Sequence, residues 1–292
     1  MPTVSMVPRV SLKNILIPTD FSPAARAAFP FARALAQTYG STILVAHAVT
    51  SGLHRQIVAD HVPDEDALGW QDARLKLQGF QHDPGLAGIS CKTLLGCGNV
   101  GEVIPDMIEA HKVDLVVLGT RGRRGVSKII LGSEAEKIYR AAPCPVLLIG
   151  PKAESASAWK LRRMLCPIDT AGDPAPALHY ALSLAQEHQA KFILMQTIPL
   201  VPWQHQEDVE RQSRRALEAL IPGPCQDWCS PECVVRWEYP PEAILLEAEE
   251  RQVDLIVMSV HRSRANSWSH LPCPVAAEVI SQARSPVLTI RV

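Results

Sequence analysis

Short apolar runs separated by longer, mixed stretches set the rhythm of this chain. Ile15-Leu-Ile17, Ile43-Leu-Val-Ala46, Leu115-Val-Val-Leu118 and Val146-Leu-Leu-Ile149 are nearly free of polar residues. Runs of this length, rich in Val, Ile and Leu, are what strands covered on both faces require, as in parallel sheets. The stretches between them have helical period. Ser22-Pro23 reads as a helix cap followed by proline at the first helical position, and Asp173-Pro174 reads the same way in the second half. Pro30 falls inside the first predicted helix, so a kink is expected there. Strands alternating with helices predict right-handed crossovers and an open, doubly wound sheet.

The pattern occurs twice. Asn14-Ile-Leu-Ile-Pro-Thr-Asp20 recurs as Arg163-Met-Leu-Cys-Pro-Ile-Asp169, an offset of 149 residues. Thr42–His47 recurs as Lys191–Gln196 at the same offset. Val113-Asp-Leu-Val-Val-Leu118 recurs as Val253-Asp-Leu-Ile-Val-Met258 at 140, and Pro145–Ile149 as Pro286–Ile290 at 141. Such self-similarity decides the architecture before any single residue does. The fold class expected is α/β: two tandem, open, doubly wound parallel sheets of five strands each, with flanking helices. The halves are expected at residues 1–150 and 161–292, joined by a polar, small-residue linker from Gly150 to Leu161.

Composition and charge narrow the picture. The 292 residues carry 29 basic and 30 acidic side chains, a net charge of -1, so no basic excess points to nucleic acid or an anionic membrane. No apolar run approaches the length that crosses a bilayer, and the first residues lack the apolar core of a signal peptide. A cytoplasmic protein is expected. Eight cysteines are then read as free thiols rather than disulfides. Cys225, Cys229 and Cys233, four residues apart, invite comparison with a metal site. Zinc sites use two-residue gaps more often, and no His or Cys pair follows at standard spacing, even with His261, His270 and Cys273 nearby. Ordinary thiols are the favoured reading, and no metal ligand is assigned. Trp203, Trp228, Trp237 and Trp268 are read as core or interface packing.

Candidate chemistry concentrates in one loop. Leu118-Gly-Thr-Arg-Gly-Arg-Arg-Gly-Val-Ser-Lys-Ile-Ile-Leu-Gly-Ser133 follows a predicted strand and ends where a helix begins. Glycines let a backbone approach phosphate oxygens and present amides to them. A helix N-terminus adds unpaired amides and partial positive charge. Ser133 can donate a hydroxyl, and Arg121, Arg123, Arg124 and Lys128 add cations. A ligand-free structural turn is the bland alternative. Asp20 is likewise either a ligand residue or a cap on local amides, since Asp169 persists where the loop does not.

Gly119, Gly122 and Gly132-Ser133 reproduce the Gly-x2-Gly-x9-Gly-Ser/Thr loop, and with Pro18-Thr-Asp-Phe-Ser22, Ala46-His-Ala48 and Ala142-Pro-Cys-Pro-Val-Leu147 the chain resembles ATP-binding universal stress proteins in both halves. The resemblance implies an adenine nucleotide-alpha-hydrolase-like fold and a stress-response role. It implies ATP or another adenine nucleotide as cofactor, with or without Mg2+. Pro18, Thr19 and Asp20 would line the nucleoside side, and Ala48 would offer backbone groups to adenine. Leu118 and Gly119 would sit near ribose and phosphates, with Arg121 adjoining them. Gly122, Gly132 and Ser133 would cradle the phosphates, with Glu134 and Ala135 beside them. Glu134 puts a carboxylate near phosphate, which is unfavourable unless it turns outward. The family's pairing through the last strand implies an intramolecular pseudo-dimer through Pro145–Ile149 and Pro286–Ile290, with a homodimer as a further option.

The second half departs from this pattern. Its loop, Met258 to Pro274, has no glycine, and Gly132-Ser133 becomes Cys273-Pro274. Proline has no amide hydrogen to give a phosphate. This half is therefore expected to be a packing partner that binds no nucleotide. No Walker loop, SGGxDS string, HIGH string or Ser-His-Asp spacing is present. The leading expectation is a nucleotide-binding stress-response protein that is not an enzyme, a weak ATPase at most. The alternatives are an ATP-hydrolysing or ATP-using enzyme of the same superfamily, or a nucleotide-free interaction module.

Overall fold

A computed structural model describes residues 9–50, 68–120, 133–153, 159–169, 172–198, 205–225, 231–260 and 274–292. Ten strands form one sheet in the order β3-β2-β1-β4-β5-β10-β9-β6-β7-β8. The first half supplies β1 (Asn14–Pro18), β2 (Thr42–Val49), β3 (Cys91–Cys97), β4 (Leu115–Gly119) and β5 (Val146–Ile149). The second supplies β6 (Arg163–Ile168), β7 (Lys191–Thr197), β8 (Glu232–Arg236), β9 (Leu255–Val260) and β10 (Val287–Arg291). Pairing is parallel within each half and antiparallel between β5 and β10, where Leu147 faces Leu288. The fold class read from the strand pattern is thus found, as a large, mostly parallel sheet with flanking helices.

Helices cover both faces. They are α1 (Pro23–Arg26), α2 (Phe29–Tyr39), α3 (Leu68–Gln81), α4 (Val100–Ala110) and α5 (Ser133–Ala141) in the first half. In the second they are α6 (Ala175–His188), α7 (Gln206–Leu220), α8 (Pro240–Glu250) and α9 (Pro274–Gln282). Strand side chains alternate between two apolar layers. Ile15 and Ile17 join one, Leu16 the other, and all three are buried. That two-sided burial explains why the strands read as continuous apolar runs.

The repeated Val-Asp-Leu string has a structural use. The Asp114 carboxylate accepts the amides of Lys13 (2.7 Å) and Asn14 (2.9 Å), tying the start of β1 to that of β4. Asp254 does the same for Arg162 (2.8 Å) and Arg163 (2.9 Å). Each carboxylate satisfies two strand-end donors that no neighbouring strand reaches.

Two local expectations need correcting. The first helix is broken, not kinked, at Pro30: α1 ends at Arg26 and a new helix, α2, starts at Phe29 with Pro30 in its first turn. Pro30 has no amide for the preceding turn, so restarting a helix there removes the conflict. The linker is not uniformly polar. Trp159 and Leu161 are buried, the Trp159 indole lies edge-on to Phe31 at 5.2 Å, and its Nε1 donates to the Asp254 carbonyl at 3.1 Å. The cap readings fare differently: Ser22 Oγ accepts the Ala25 amide at 3.2 Å, while Asp173 Oδ1 accepts that of Ala175 at 3.0 Å from one residue further out.

Candidate functional site

Parallel sheets leave a crevice at the carboxyl ends of their strands, where the connecting loops diverge. In the first half this crevice is a cleft of about 240 Å³ at the ends of β1, β2 and β4, closed on one side by the N-terminus of α5. Pro18, Thr19 and Asp20 line it from β1, Ala48 from β2, and Leu118 and Gly119 from β4. Ser133, Glu134 and Ala135 line it from α5. Nine of the twelve sequence-assigned positions therefore converge on one cavity. Arg121, Gly122 and Gly132 lie outside the described residues.

The turn after β1 is tightly bonded. The Thr19 amide donates to the Ala46 carbonyl (2.8 Å), and the Thr19 carbonyl lies 2.7 Å from His47 Nδ1. Buried Thr19 Oγ1 accepts the Phe21 amide (2.9 Å), and Asp20 Oδ1 accepts the Ser22 amide (3.0 Å). Asp20 thus does cap its local turn while its carboxylate borders the cleft. These bonds hold Phe21 at φ 62°, a left-handed conformation that a bulky residue rarely adopts. The Phe21 ring stands 4.6 Å from His47 and, between centroids, 6.4 Å from Phe80. Sequence reading missed His47 as a lining residue. Its signal was its position in Ala46-His-Ala48, one residue before an assigned one.

Gly119 has a reason to be glycine besides any ligand. A Cβ there would overlap the Ala24 carbonyl oxygen and stand 2.7 Å from its carbon. The bare backbone lets α1 lie across the end of β4, and α1 carries one wall of the cleft. At the opposite wall, the first turn of α5 leaves backbone amides without helical acceptors. Ser133 and Glu134 are exposed there, and Glu134 pairs with Lys137 at 3.0 Å. The walls from Val100, Ile104, Leu118 and Ile138 are apolar. A planar apolar group, a hydroxyl-bearing group and an anion could occupy such a cleft together.

The second half has a cleft at the equivalent place, of about 320 Å³. The glycine-free loop predicts a packing partner that binds no nucleotide, and a cavity is present there all the same. Ser259 replaces Gly119, and Gly172 to Pro174, in the place of α1, is not helical. With no helix crossing the strand end, a side chain at this position is accommodated.

The sequence profile of the universal stress protein family matches residues 11–150 and again 160–291. The chain belongs to the universal stress protein family. The Thermus aquaticus universal stress protein of the QAH/OAS sulfhydrylase 3' region is 35% identical over 141 residues, which is 47% of this chain and 98% of that protein. Universal stress protein MJ0531 of Methanocaldococcus jannaschii is 29% identical over 151 residues, 49% of this chain and 85% of that one. Such relatives correspond to one half of the tandem. A universal stress protein from Archaeoglobus fulgidus superposes over 95% of this chain and 98% of its own, with TM-score 0.71 at 19% identity, and shares the fold.

Other sequence readings find their places. Cys225 and Cys233 are buried, and burial pushes both thiols up from their ordinary range, Cys233 to about 11. Cys229, Cys273, His261, His270, Trp203, Trp228 and Trp268 lie outside the described residues. Trp237 packs against the larger apolar cluster. No helix among the described residues is long and apolar enough to cross a membrane.

Proposed function

We propose that this universal stress protein binds an adenine nucleotide in the cleft of its first half and that the second half holds no nucleotide. The observation carrying this reading is the convergence of nine motif positions from three strand ends and one helix N-terminus on a single cavity. The base would lie between the apolar walls near His47 and Ala48. The ribose hydroxyls would face Asp20, and the phosphates would face Ser133 and the amides of α5. Gly122 and Gly132 would complete the phosphate side. If Mg2+ accompanies the nucleotide, Asp20 or Glu134 would supply a carboxylate and the phosphates the rest. Glu134, turned toward Lys137, weakens but does not remove the repulsion of a phosphate.

The protein acts as a cytoplasmic binder whose nucleotide occupancy alters its surface for partners, rather than as a catalyst. The β5–β10 pairing supports reading the two halves as an intramolecular pseudo-dimer, with a homodimer as a further option. Calorimetry with ATP, ADP and AMP on the intact chain tests the reading. One site per chain is expected, lost in the Gly122→Val, Gly132→Val double variant. Failure of the wild type to bind any of the three overturns it, and turnover of labelled ATP well above background would make it an enzyme instead.

A further inference from the structure

Away from both clefts, α2 and α6 meet at the seam between the halves, where the rings of Tyr39 and His188 face each other. The two flanks of this seam are related by the 149-residue repeat, and they differ. On one flank the Val10 amide donates to Ser183 Oγ of α6 at 2.7 Å, which seats the segment before β1 on that helix. On the other flank Trp159 takes the place of Val10 and Ala34 the place of Ser183, so no side-chain oxygen is offered to the backbone there. A cavity of about 320 Å³ lies on this second flank, lined by Ala34 and Thr38 of α2, by Trp159 to Arg162, and by His188. Burial alternates from Trp159 to Arg162, so Lys160 and Arg162 share the outward side while Trp159 and Leu161 form an apolar floor. Lys160 stands where the first flank has Ser11, Arg162 where it has Lys13, and Thr38 where it has Glu187. The cavity thus has one cation more and one carboxylate fewer than its counterpart positions, and no carboxylate among its described lining residues.

The neighbouring acids leave that charge largely uncompensated. Asp254 accepts the backbone amides of Arg162 and Arg163, and Glu187 acts on His188 only as the smaller of two opposing influences. Neither Lys160 nor Arg162 forms an ion pair among the described residues. His188 Nε2 is buried without a hydrogen-bond partner there, so a proton on it would have no acceptor. We propose that this seam cavity binds a small divalent oxyanion of the phosphate class, held by the side chains of Lys160 and Arg162 with His188 beside it. Such an anion touches α2 of the first half and the Trp159–Arg162 segment and α6 of the second, so it ties the halves together at a place remote from either set of strand ends.

His188 lines the cavity and reports on it in the intact chain. The protein is labelled with 13C in its histidine rings, the His188 signal is assigned with His188→Gln, and inorganic phosphate is titrated against sodium chloride at matched ionic strength. Phosphate is expected to shift the His188 signal saturably in the millimolar range. It should also raise the pH midpoint of His188 by about one unit, because a nearby anion favours the imidazolium. The double variant Lys160→Gln, Arg162→Gln is expected to weaken the response about tenfold or more, as loss of charge-assisted bonds to an oxyanion does. Thr38→Glu, which restores the acid of the other flank, should do the same by repulsion. The charge-matched control Arg74→Gln, Lys92→Gln, on α3 and β3 at the far edge of the first half, should leave the response as it is. An unmoved His188 midpoint, an equal shift with chloride, or an equal loss in the control overturns the site. Phosphate bound in the first cleft alone would leave His188 silent, so the nucleotide reading and this proposal fail separately.

Discussion

Arg291 Nη2 donates to the Tyr139 carbonyl at 2.6 Å, joining the last strand of the second half to the end of α5 in the first. Its Nη1 reaches the carbonyls of Arg140 (2.8 Å) and Ala142 (3.1 Å), and the guanidinium lies 6.0 Å from the Tyr139 ring centroid. The last carbonyls of a helix have no helical donors and carry partial negative charge, so a guanidinium is well matched to them. By the repeat, Arg291 corresponds to Gly150. There a Cβ would overlap the Ile280 carbonyl oxygen near the end of α9. One side of the junction is closed by a cation, the other by bare backbone.

Replacing Arg291 with methionine keeps much of the aliphatic stem and removes the donors. Three carbonyls lose a partner, and partial exposure lets water replace some of it. A loss of about 1–2 kcal/mol in unfolding free energy is expected from urea denaturation. An unchanged midpoint would show that the guanidinium contributes nothing to the junction.

Gly119 and Gly79 predict opposite signs for the same change. Gly119→Ala must displace α1 from the end of β4, because its Cβ meets the Ala24 carbonyl. Overpacking of this kind costs about 1–3 kcal/mol, and nucleotide affinity should fall with it because α1 forms a wall of the cleft. Gly79 is exposed within α3, with nothing within 4 Å of a Cβ. Gly79→Ala should stabilise by about 0.5–1 kcal/mol through helix propensity. Thermal melts of both variants with and without AMP check the pair. A neutral Gly119→Ala would refute the steric account.

His188 makes the fold acid-sensitive. It corresponds to Tyr39 in the repeat, and the two rings face each other with centroids 5.8 Å apart. Burial lowers the His188 pKa below its ordinary 6.5, against a smaller upward pull from Glu187. The unfolded chain therefore takes up this proton more readily than the folded one. Above about pH 6.5 both states are neutral there and no penalty applies; as pH falls below that value, stability is lost until the folded form also protonates. Denaturation midpoints of the wild type between about pH 8 and pH 5 should fall more steeply than those of His188→Gln. Parallel curves would remove His188 from the acid response.

The strand skeleton and the tandem order were legible because buried parallel strands have a compositional signature that survives repetition. Met164, Leu165 and Cys166 read as a strand although only Leu165 repeats its counterpart in the first half. The cleft of the first half was legible through Gly119 and Ser133, whose spacing follows from where β4 ends and α5 begins. Three features were not. The turn holding Phe21 at positive φ depends on Thr19 and His47, which meet only once β1 and β2 pair. Trp159 looked like linker because its neighbours are small and polar, and its burial comes from contact with Phe31, 128 residues earlier in the numbering. The second cleft was not legible because its lining mixes ordinary apolar and polar side chains, such as Ile244, Met258, Asp169 and Gln196, that form no motif along the sequence.

An ion pair in the second half replaces an apolar contact in the first. Gly96 on β3 lies against Val103 and Met107 of α4: a Cβ on Gly96 would stand 2.5 Å from Val103 Cγ1 and 2.8 Å from the Met107 methyl. At the corresponding positions Arg236 of β8 bonds Glu247 of α8, whose side chain is fully buried. Arg251 Nε also donates to Glu247 at 3.1 Å, and Arg236 reaches Glu250 at 2.6 Å. A carboxylate out of water costs several kcal/mol unless its partners stay. Glu247→Ala leaves Arg236 and Arg251 without their shared acceptor, but both are partly exposed, so water recovers part of the loss. The expected cost is about 2–3 kcal/mol, below the full range for a buried pair. The double variant Arg236→Gly, Glu247→Met restores the glycine–methionine part of the first-half contact, with Ala243 in the place of Val103. Removing both charges together avoids the unpaired ion, so it should recover at least half of that cost. A double-mutant cycle in urea checks this, with Arg251→Ala on both backgrounds to separate the third partner. If the double variant is less stable than Glu247→Ala alone, the two halves do not treat these positions as interchangeable solutions, and the ion pair is the better packing at this sheet edge.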